Sequence, residues 1–243
     1  TGRYNSREVL GYLDRIQPKN VLVVGEAIID EYNYCQAMGK SSKEPMLAVK
    51  HLSTEQFAGG ILAVGNHVAN FCDSVGMITF LGAAKPHEDF VLENVNPKIS
   101  KTLLFRRDSP TIVKQRFIDE YFFTKLLEVY EIKDGALDDE DNEALCAALA
   151  DQVPQCDAVI VVDFGHGMLS DQAIQLLCSK AKYLAVNAQS NASNVGYHTV
   201  SRYPRADFVC MTETEIRLET RNRHDDLRKL IVEASKALKY RRV

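Results

Sequence analysis

The sequence predicts an α/β fold, a doubly wound and mostly parallel sheet. Val21-Leu22-Val23-Val24-Gly25 and Ala158-Val159-Ile160-Val161-Val162 are short, unbroken apolar runs rich in β-branched residues. Strands covered on both faces read this way. Segments with helical spacing of apolar residues alternate with such runs, as a parallel sheet requires. Polar residues and glycines follow the runs directly, at Glu26 to Asp30, at Asp163 to Gly167 and at Asn187. Open α/β sheets bind ligands beyond these carboxyl ends.

In chain order, residues 5–16 read as a short amphipathic helix and 21–25 as the first buried strand. Residues 46–57 alternate loosely, as an exposed strand does. After Gly59-Gly60 a helix is expected to carry Leu62, Val64, Val68 and Phe71 inward and to end near Gly76. Met77 to Leu81 is a strand, and 110–118 and 121–132 are two strands joined by Asp119-Glu120. Asp138 to Leu149 is a helix whose acidic start suits the helix dipole. The strand at 158–162 is followed by a helix near 170–181, by strands at Tyr183 to Val186 and Asp207 to Met211, and by a helix over 225–239. That last helix places Leu227, Leu230, Ile231, Ala234 and Leu238 at helical spacing.

Composition narrows the function classes. With 243 residues, 46% hydrophobic and 26% charged, the chain is an ordinary globular one, long enough for a native-sized core. A net charge of −4 gives no electrostatic reason for a nucleic-acid or anionic-membrane partner. No apolar run approaches the roughly 20 residues that span a bilayer, and the first residues have no secretory apolar core. The six cysteines stand singly. They read as buried free thiols in a reducing, cytoplasmic setting rather than as zinc ligands or disulfides. The histidines show no HxH or HExxH spacing. No GxxxxGK[ST], no GxSxG elbow and no GxGxxG after the first strand is present.

Each polar site candidate has a plain structural alternative. Asp30 is a ligand contact or a turn former. Gly59-Gly60 is a turn into a helix, or a place where a ligand meets bare backbone at a helix N-terminus. Asp163-Phe164-Gly165-His166-Gly167 is too glycine-rich for a plain strand end and suits a loop that lines a ligand. His166 is a catalytic base or a solvent-side loop histidine.

Read together, these segments resemble the ribokinase-like (PfkB) carbohydrate kinases, among them the heptose 7-phosphate kinases. The matching stretches are Gly25-Glu26-Ala27-Ile28-Ile29-Asp30 for G-[DE]-x-x-x-D, Gly39 to Pro45 with Val49-Lys50 for a lid segment, and Gly59-Gly60 for the G-G helix start. Pro110 to Arg116 matches P-T-x-x-K-x-R, Asp163 to Gly167 matches D-[YF]-G-[KH]-G, and Thr212 to Glu215 matches N-x-x-E. Each is weak alone, whereas their order and spacing are specific. The chain departs from the pattern at Ala63, where the family has an asparagine that Asn66 could replace, and at Thr212, another family asparagine. Ala83-Ala84-Lys85-Pro86 lacks the family's acidic residue.

The resemblance implies a ribokinase-like sheet with a small β lid, with lid strands near 34–57 and 110–132. It implies ATP and Mg²⁺ as cofactors, and a sugar or sugar phosphate as the small-molecule partner. Asp30 would accept hydrogen bonds from sugar hydroxyls, Gly59 and Gly60 would let the sugar approach the backbone, and Lys114 and Arg116 would contact the substrate or its phosphate. Asp163 would lie near the sugar or metal, Asn187 and Thr212 near ATP, and Glu215 would organise Mg²⁺ and its waters. The exposed lid edge implies a homodimer. The family's G-A-G-D motif, which carries the aspartate base, has no match between Asp207 and Val243. The catalytic base is therefore expected beyond Val243, and residues 1–243 are expected to be the N-terminal part of a single kinase domain. The alternative, motivated by Ala63 and Thr212, is a kinase-like module that binds sugar or nucleotide without catalysis.

Overall fold

The computed structural model describes residues 5–192 and 194–237. Helix α1 (Ser6–Ile16) opens with a capping box: Asn5 accepts from the Glu8 N–H, and the Glu8 carboxylate accepts from that of Asn5. Strand β1 (Asn20–Gly25) is the first apolar run. It lies between β4 (Ser74–Gly82) and β8 (Ala158–Asp163), parallel to both. With β5 (Ile99–Arg106), β9 (Leu184–Ala188) and β10 (Phe208–Cys210), they form a six-stranded parallel sheet in the order β10-β9-β8-β1-β4-β5.

The two faces of β1 explain its unbroken hydrophobicity. Leu22 and Val24 join one core with helices α4 (Asp139–Gln152) and α5 (Asp171–Lys180), through Leu145, Leu149, Ile174 and Leu177. Val21 and Val23 join the opposite core, where Ile61 and Leu62 of α2 (Ile61–Val68) and Val91 of α3 (Glu88–Asn94) pack. Alternate residues of a strand face opposite sides, so a strand sandwiched by helices is apolar at every position. Each fully buried Leu, Ile or Val contributes about 1.5–3 kcal/mol.

A second sheet covers the carboxyl edge of the first. Strands β2 (Ala27–Lys40) and β3 (Leu47–Gly60) form an antiparallel hairpin. Strand β6 (Ile112–Asp119) runs parallel to β2, and β7 (Thr124–Glu131) pairs antiparallel with β6. The order is β3-β2-β6-β7. The chain leaves the main sheet at Gly25-Glu26 and enters this lid at once, so Asp30 lies within a strand and not in a loop.

Other differences from expectation have local causes. The helix after Gly60 ends at Val68, and a turn follows in which the Asp73 N–H donates to the Gln17 carbonyl. Phe71 is therefore exposed and packs edge-on against His67, with ring centroids 5.5 Å apart. Strand β6 starts at Ile112 because the backbone just before it is committed elsewhere, the Thr111 N–H donating to the Lys85 carbonyl at 3.0 Å; the Thr111 hydroxyl also accepts from the Gly82 N–H at 2.9 Å and donates to the Pro86 carbonyl at 2.6 Å. The turn between β6 and β7 is longer than Asp119-Glu120. The Asp119 carboxylate accepts from the Tyr121 and Phe122 N–H groups and holds the turn. Helix α3, strand β5 and helix α6 (Glu213–Thr220) add to the elements read from the sequence. Helix α7 (Leu227–Ala237) places Leu230 and Ala234 against Ile216 of α6; Leu238 falls outside the described residues. Five cysteines are buried free thiols, but Cys210 is exposed. Among the described residues no helix is long and apolar enough to cross a membrane.

Candidate functional site

The cleft between lid and main sheet is built from β2, the end of β3, β6 and the turn after β8. Asp30 and Lys114 are direct neighbours across β2 and β6, and Arg116 lies two residues further along β6. Side chains two apart on a strand share a face. Arg116 Nη1 donates to Asp30 Oδ1 at 2.5 Å, and its Nε donates to Glu128 Oε1 of β7 at 3.0 Å. Lys114 is only 7% exposed. Its ammonium lies 5.3 Å from the ring centroids of both Tyr130 and Phe164. Among the described residues it has no hydrogen-bond or ion-pair partner. Burial lowers its pKa, and the neighbouring Asp30 charge offsets part of that. A lysine whose stem is buried and whose ammonium is left unpaired beside aromatic faces is a place for an anion or a hydroxyl oxygen.

Gly59 pairs with Ile28 in the hairpin, and a Cβ there would collide with the Asp30 carboxylate. Gly60 has φ 54° and ψ −133°, a conformation that only glycine adopts readily, and it leads straight into α2. The Ile61 N–H donates to the Glu26 carbonyl at 3.0 Å, pinning the start of α2 to the lid entry.

The turn after β8 is held by a residue given no role in the sequence reading. Glu26 is buried, and its carboxylate accepts from the Phe164 N–H at 2.9 Å and the His166 N–H at 3.1 Å. Burial, and then the charge of Asp163, raise its pKa to about 7. Asp163 does not face the cleft as the resemblance implied. It is 1% exposed and satisfied from within: Tyr203 Oη donates to its Oδ2 at 2.6 Å, Gly165 N–H to its Oδ1 at 3.0 Å, and His198 Nε2 lies 3.3 Å from Oδ1. Burial works against its ionised form, but the hydrogen bonds from His198 and Tyr203 and the Arg202 charge outweigh it, so its pKa falls below the usual carboxylate value. Burial likewise opposes a charged His198, and the bond to Asp163 wins, raising the histidine's pKa. Asp163 thus fixes the shape of the turn, and Phe164 is the member of that turn that reaches Lys114.

Asn187, Thr212 and Glu215 cluster at the ends of β9 and β10, on the same carboxyl edge as Asp163. Asn187 Nδ2 donates to the Cys210 carbonyl at 2.9 Å. Thr212 and Glu215 form the capping box of α6. The Glu215 carboxylate accepts from the Thr212 N–H at 2.6 Å through one oxygen and from the Ser190 N–H at 2.9 Å through the other. Each oxygen keeps a free lone pair that can accept a hydrogen bond from a metal-bound water. Among the described residues no group of three His, Cys, Asp or Glu side chains is arranged to hold a metal ion.

Asn66 is not part of the cleft. Its amide nitrogen donates to the Asn94 carbonyl at 2.8 Å and its oxygen accepts from the Asn96 N–H at 2.7 Å, tying α2 to the end of α3. Asp30, Gly59, Gly60, Lys114 and Arg116 are brought together; Asn187, Thr212 and Glu215 form a second group. Glu26, Tyr203 and His198 escaped the sequence reading. Only the acidic second position of G-[DE]-x-x-x-D pointed to the first of them.

No family model matches the chain. In sequence it is 25% identical over 213 residues to the Bifunctional protein HldE of Bradyrhizobium diazoefficiens, covering 86% of this chain and 42% of that protein. It is 29% identical over 167 residues to the HldE of Marinomonas sp., covering 68% and 34%. The chain therefore spans less than half the length of these relatives. Among solved structures it superposes on phosphofructokinase-2 from Escherichia coli in complex with fructose-6-phosphate with a TM-score of 0.65, at 13% identity, covering 91% of this chain and 72% of that one. A carbohydrate kinase from Agrobacterium tumefaciens gives a TM-score of 0.62 at 17% identity, covering 89% and 67%. In fold the chain is similar to these carbohydrate kinases, and in sequence to the HldE proteins.

Proposed function

We propose that the chain carries the sugar-binding part, and part of the nucleotide-binding part, of an ATP-dependent sugar or sugar-phosphate kinase, heptose 7-phosphate kinase-like in its substrate. The observation that carries this reading is Lys114, a largely buried lysine with no anionic partner of its own in a cleft shared with Asp30, Arg116 and bare backbone at Gly59. Lys114 would take the substrate's phosphate or a hydroxyl oxygen. Asp30 would accept from sugar hydroxyls, and Arg116 holds the Asp30 carboxylate oriented. Phe164 and Tyr130 give the sugar an apolar wall. At the second group, Asn187 and Thr212 would lie against the ATP phosphates and Glu215 would orient metal waters. Mg²⁺, when bound with ATP, neutralises charge on the transferred phosphoryl group. These residues would serve chiefly to align the sugar hydroxyl with that group and exclude water, the main contributions to phosphoryl transfer. The catalytic base is assigned to residues beyond Val243. We also assign the protein to the cytoplasm, as a homodimer joined through the lid.

Isothermal titration of the full-length protein with fructose 6-phosphate and a heptose 7-phosphate tests this reading. The expected result is saturable binding that Lys114→Met weakens at least about tenfold, the scale of one lost charge-assisted hydrogen bond. Failure to bind any sugar phosphate overturns it. A second reading, a kinase-like module that binds without transferring phosphate, is favoured by Ala63 and Thr212, which replace family asparagines. Sugar binding with no ATP consumption above background would select it.

A further inference from the structure

We propose that the cavity at the base of the lid is a subsite for a hydroxyl group of the sugar, with His166 Nε2 as its hydrogen-bond acceptor. This rests on the sugar-kinase reading above and adds to it a specificity element on the far side of the turn from Lys114. Two independent observations meet here. The His166 side chain is 1% exposed, and among the described residues its Nε2 is the buried side-chain polar atom left without a partner. The same residue lines a cavity of about 30 Å³ together with Glu26, Arg106, Ser109 and Thr111. Buried polar atoms are nearly always paired, so an unpartnered one beside a cavity of this size points to a ligand atom as its partner.

The hydrogen bonds around the cavity state what that occupant must be. Asp134 Oδ1 lies 3.0 Å from His166 Nδ1. A carboxylate only accepts, so Nδ1 carries the proton and Nε2 presents a lone pair. Ser109 spends its hydroxyl proton on the Pro110 carbonyl, and Thr111 spends its own on Pro86. Arg106 directs its Nη protons to the carbonyls of Lys133, Gly135, Ala136 and His166. Lys133 also lines the cavity, but the Nε2 lone pair of His166 is the group that lacks a partner, and it requires a donor. A hydroxyl fits at that atom, where a phosphate or carboxylate oxygen, which only accepts, does not. Burial lowers the His166 pKa against the opposing hydrogen bond to Asp134, and the Lys114 charge adds to the lowering, so the environment favours the neutral ring. Lys114 packs on Phe164 of the turn that carries His166, and its charge acts on that histidine, so a sugar held at Lys114 lies beside the turn that bounds the cavity.

The test uses the full-length protein with fructose 6-phosphate, a heptose 7-phosphate and their single-deoxy analogues. In the native protein, removal of one particular hydroxyl is expected to weaken binding about tenfold, the scale of one neutral hydrogen bond. His166→Leu should erase that penalty while binding the same deoxy analogue within about twofold of native; His166→Gln, which keeps an acceptor, should restore part of it. A penalty that survives in His166→Leu, or a uniform loss across all analogues, overturns the subsite and leaves the kinase reading standing. Absence of any sugar-phosphate binding by the native protein sinks both. Imidazole ¹⁵N spectra of the native protein supply a readout that needs no folded variant. The Nε2 signal should move on adding the sugar and stay in place with the one deoxy analogue. A signal unmoved by every sugar means that the cavity holds water alone, and overturns the proposal.

Discussion

Arg116 on β6 reaches diagonally across the parallel ladder to Asp30 on β2, with Nη1 2.5 Å from Oδ1, while its Nε holds Glu128 on β7. One guanidinium therefore ties three lid strands and fixes the carboxylate that faces the cleft. Arg116→Met is expected to cost about 1–2 kcal/mol in urea unfolding, the range for a partly buried pair that loses one partner. Arg116→Lys should recover less than half of this, because an ammonium cannot reproduce the fork. An unchanged midpoint in Arg116→Met would show the pair to be incidental.

Glu26 predicts a pH signature. Its folded pKa, about 7, lies above the ordinary carboxyl value of 4.5. Between these values the folded state keeps a proton that the unfolded state releases, so this group makes stability fall as pH rises from about 4.5 to about 7 and adds no slope outside that window. Glu26→Gln should be about 1–2 kcal/mol less stable at pH 5, because the amide nitrogen faces one of the two N–H donors. The gap should narrow by pH 8, where the native protein bears a buried charge. Parallel pH–stability curves for the two proteins would contradict this.

Tyr203 is fully buried, and its hydroxyl gives Asp163 a 2.6 Å hydrogen bond. Tyr203→Phe leaves the ring's packing intact and deprives a buried carboxylate of a donor. The expected loss is about 1.5–3 kcal/mol in chemical denaturation. A loss below about 0.5 kcal/mol would mean that His198 and Gly165 alone satisfy Asp163.

Gly59 and Gly60 should separate binding from folding. Gly59→Ala forces the Asp30 carboxylate aside and leaves the backbone region ordinary. Sugar-phosphate affinity should drop about tenfold or more, with a stability loss no larger than the roughly 1–2 kcal/mol of the displaced Arg116 pair. Gly60→Ala places a side chain at φ 54° against the Glu26 carbonyl and should cost about 1–3 kcal/mol of stability. Calorimetric titration and thermal melts of both variants check the pair.

The β6–β7 turn presents Tyr121, Phe122 and Phe123 to solvent, at 83, 74 and 74% exposure. Apolar tips held this way by Asp119 suit a partner surface. If the lid carries the dimer, replacing all three with serine should shift light-scattering mass towards the monomer with little change in unfolding midpoint. An unchanged mass would place any dimer contact elsewhere.

The sequence by itself determined the elements whose burial is symmetrical or whose ends are chemically marked. β1 and β8 were legible because helices cover both faces and leave no polar position, and α4 because Asp138 caps it. β2 was not legible as a strand: its first three residues are buried at the lid base and its last five are exposed, so no single period runs through it. α6 is eight residues long and lies among charged residues, too short for a periodic signal. At the cleft, Asp30, Lys114 and Arg116 could be read from motif spacing, since strand neighbours two apart share a face. Tertiary structure alone decided which way the carboxylates point. Asp163 turns inward because Tyr203 and His198, 40 and 35 positions later in the chain, supply its donors. Glu26 becomes the brace of a turn 138 positions away. Burial with a distant hydrogen-bond partner leaves no local pattern in a sequence, because the residue types are ordinary and only the folded chain brings the partners within hydrogen-bond reach.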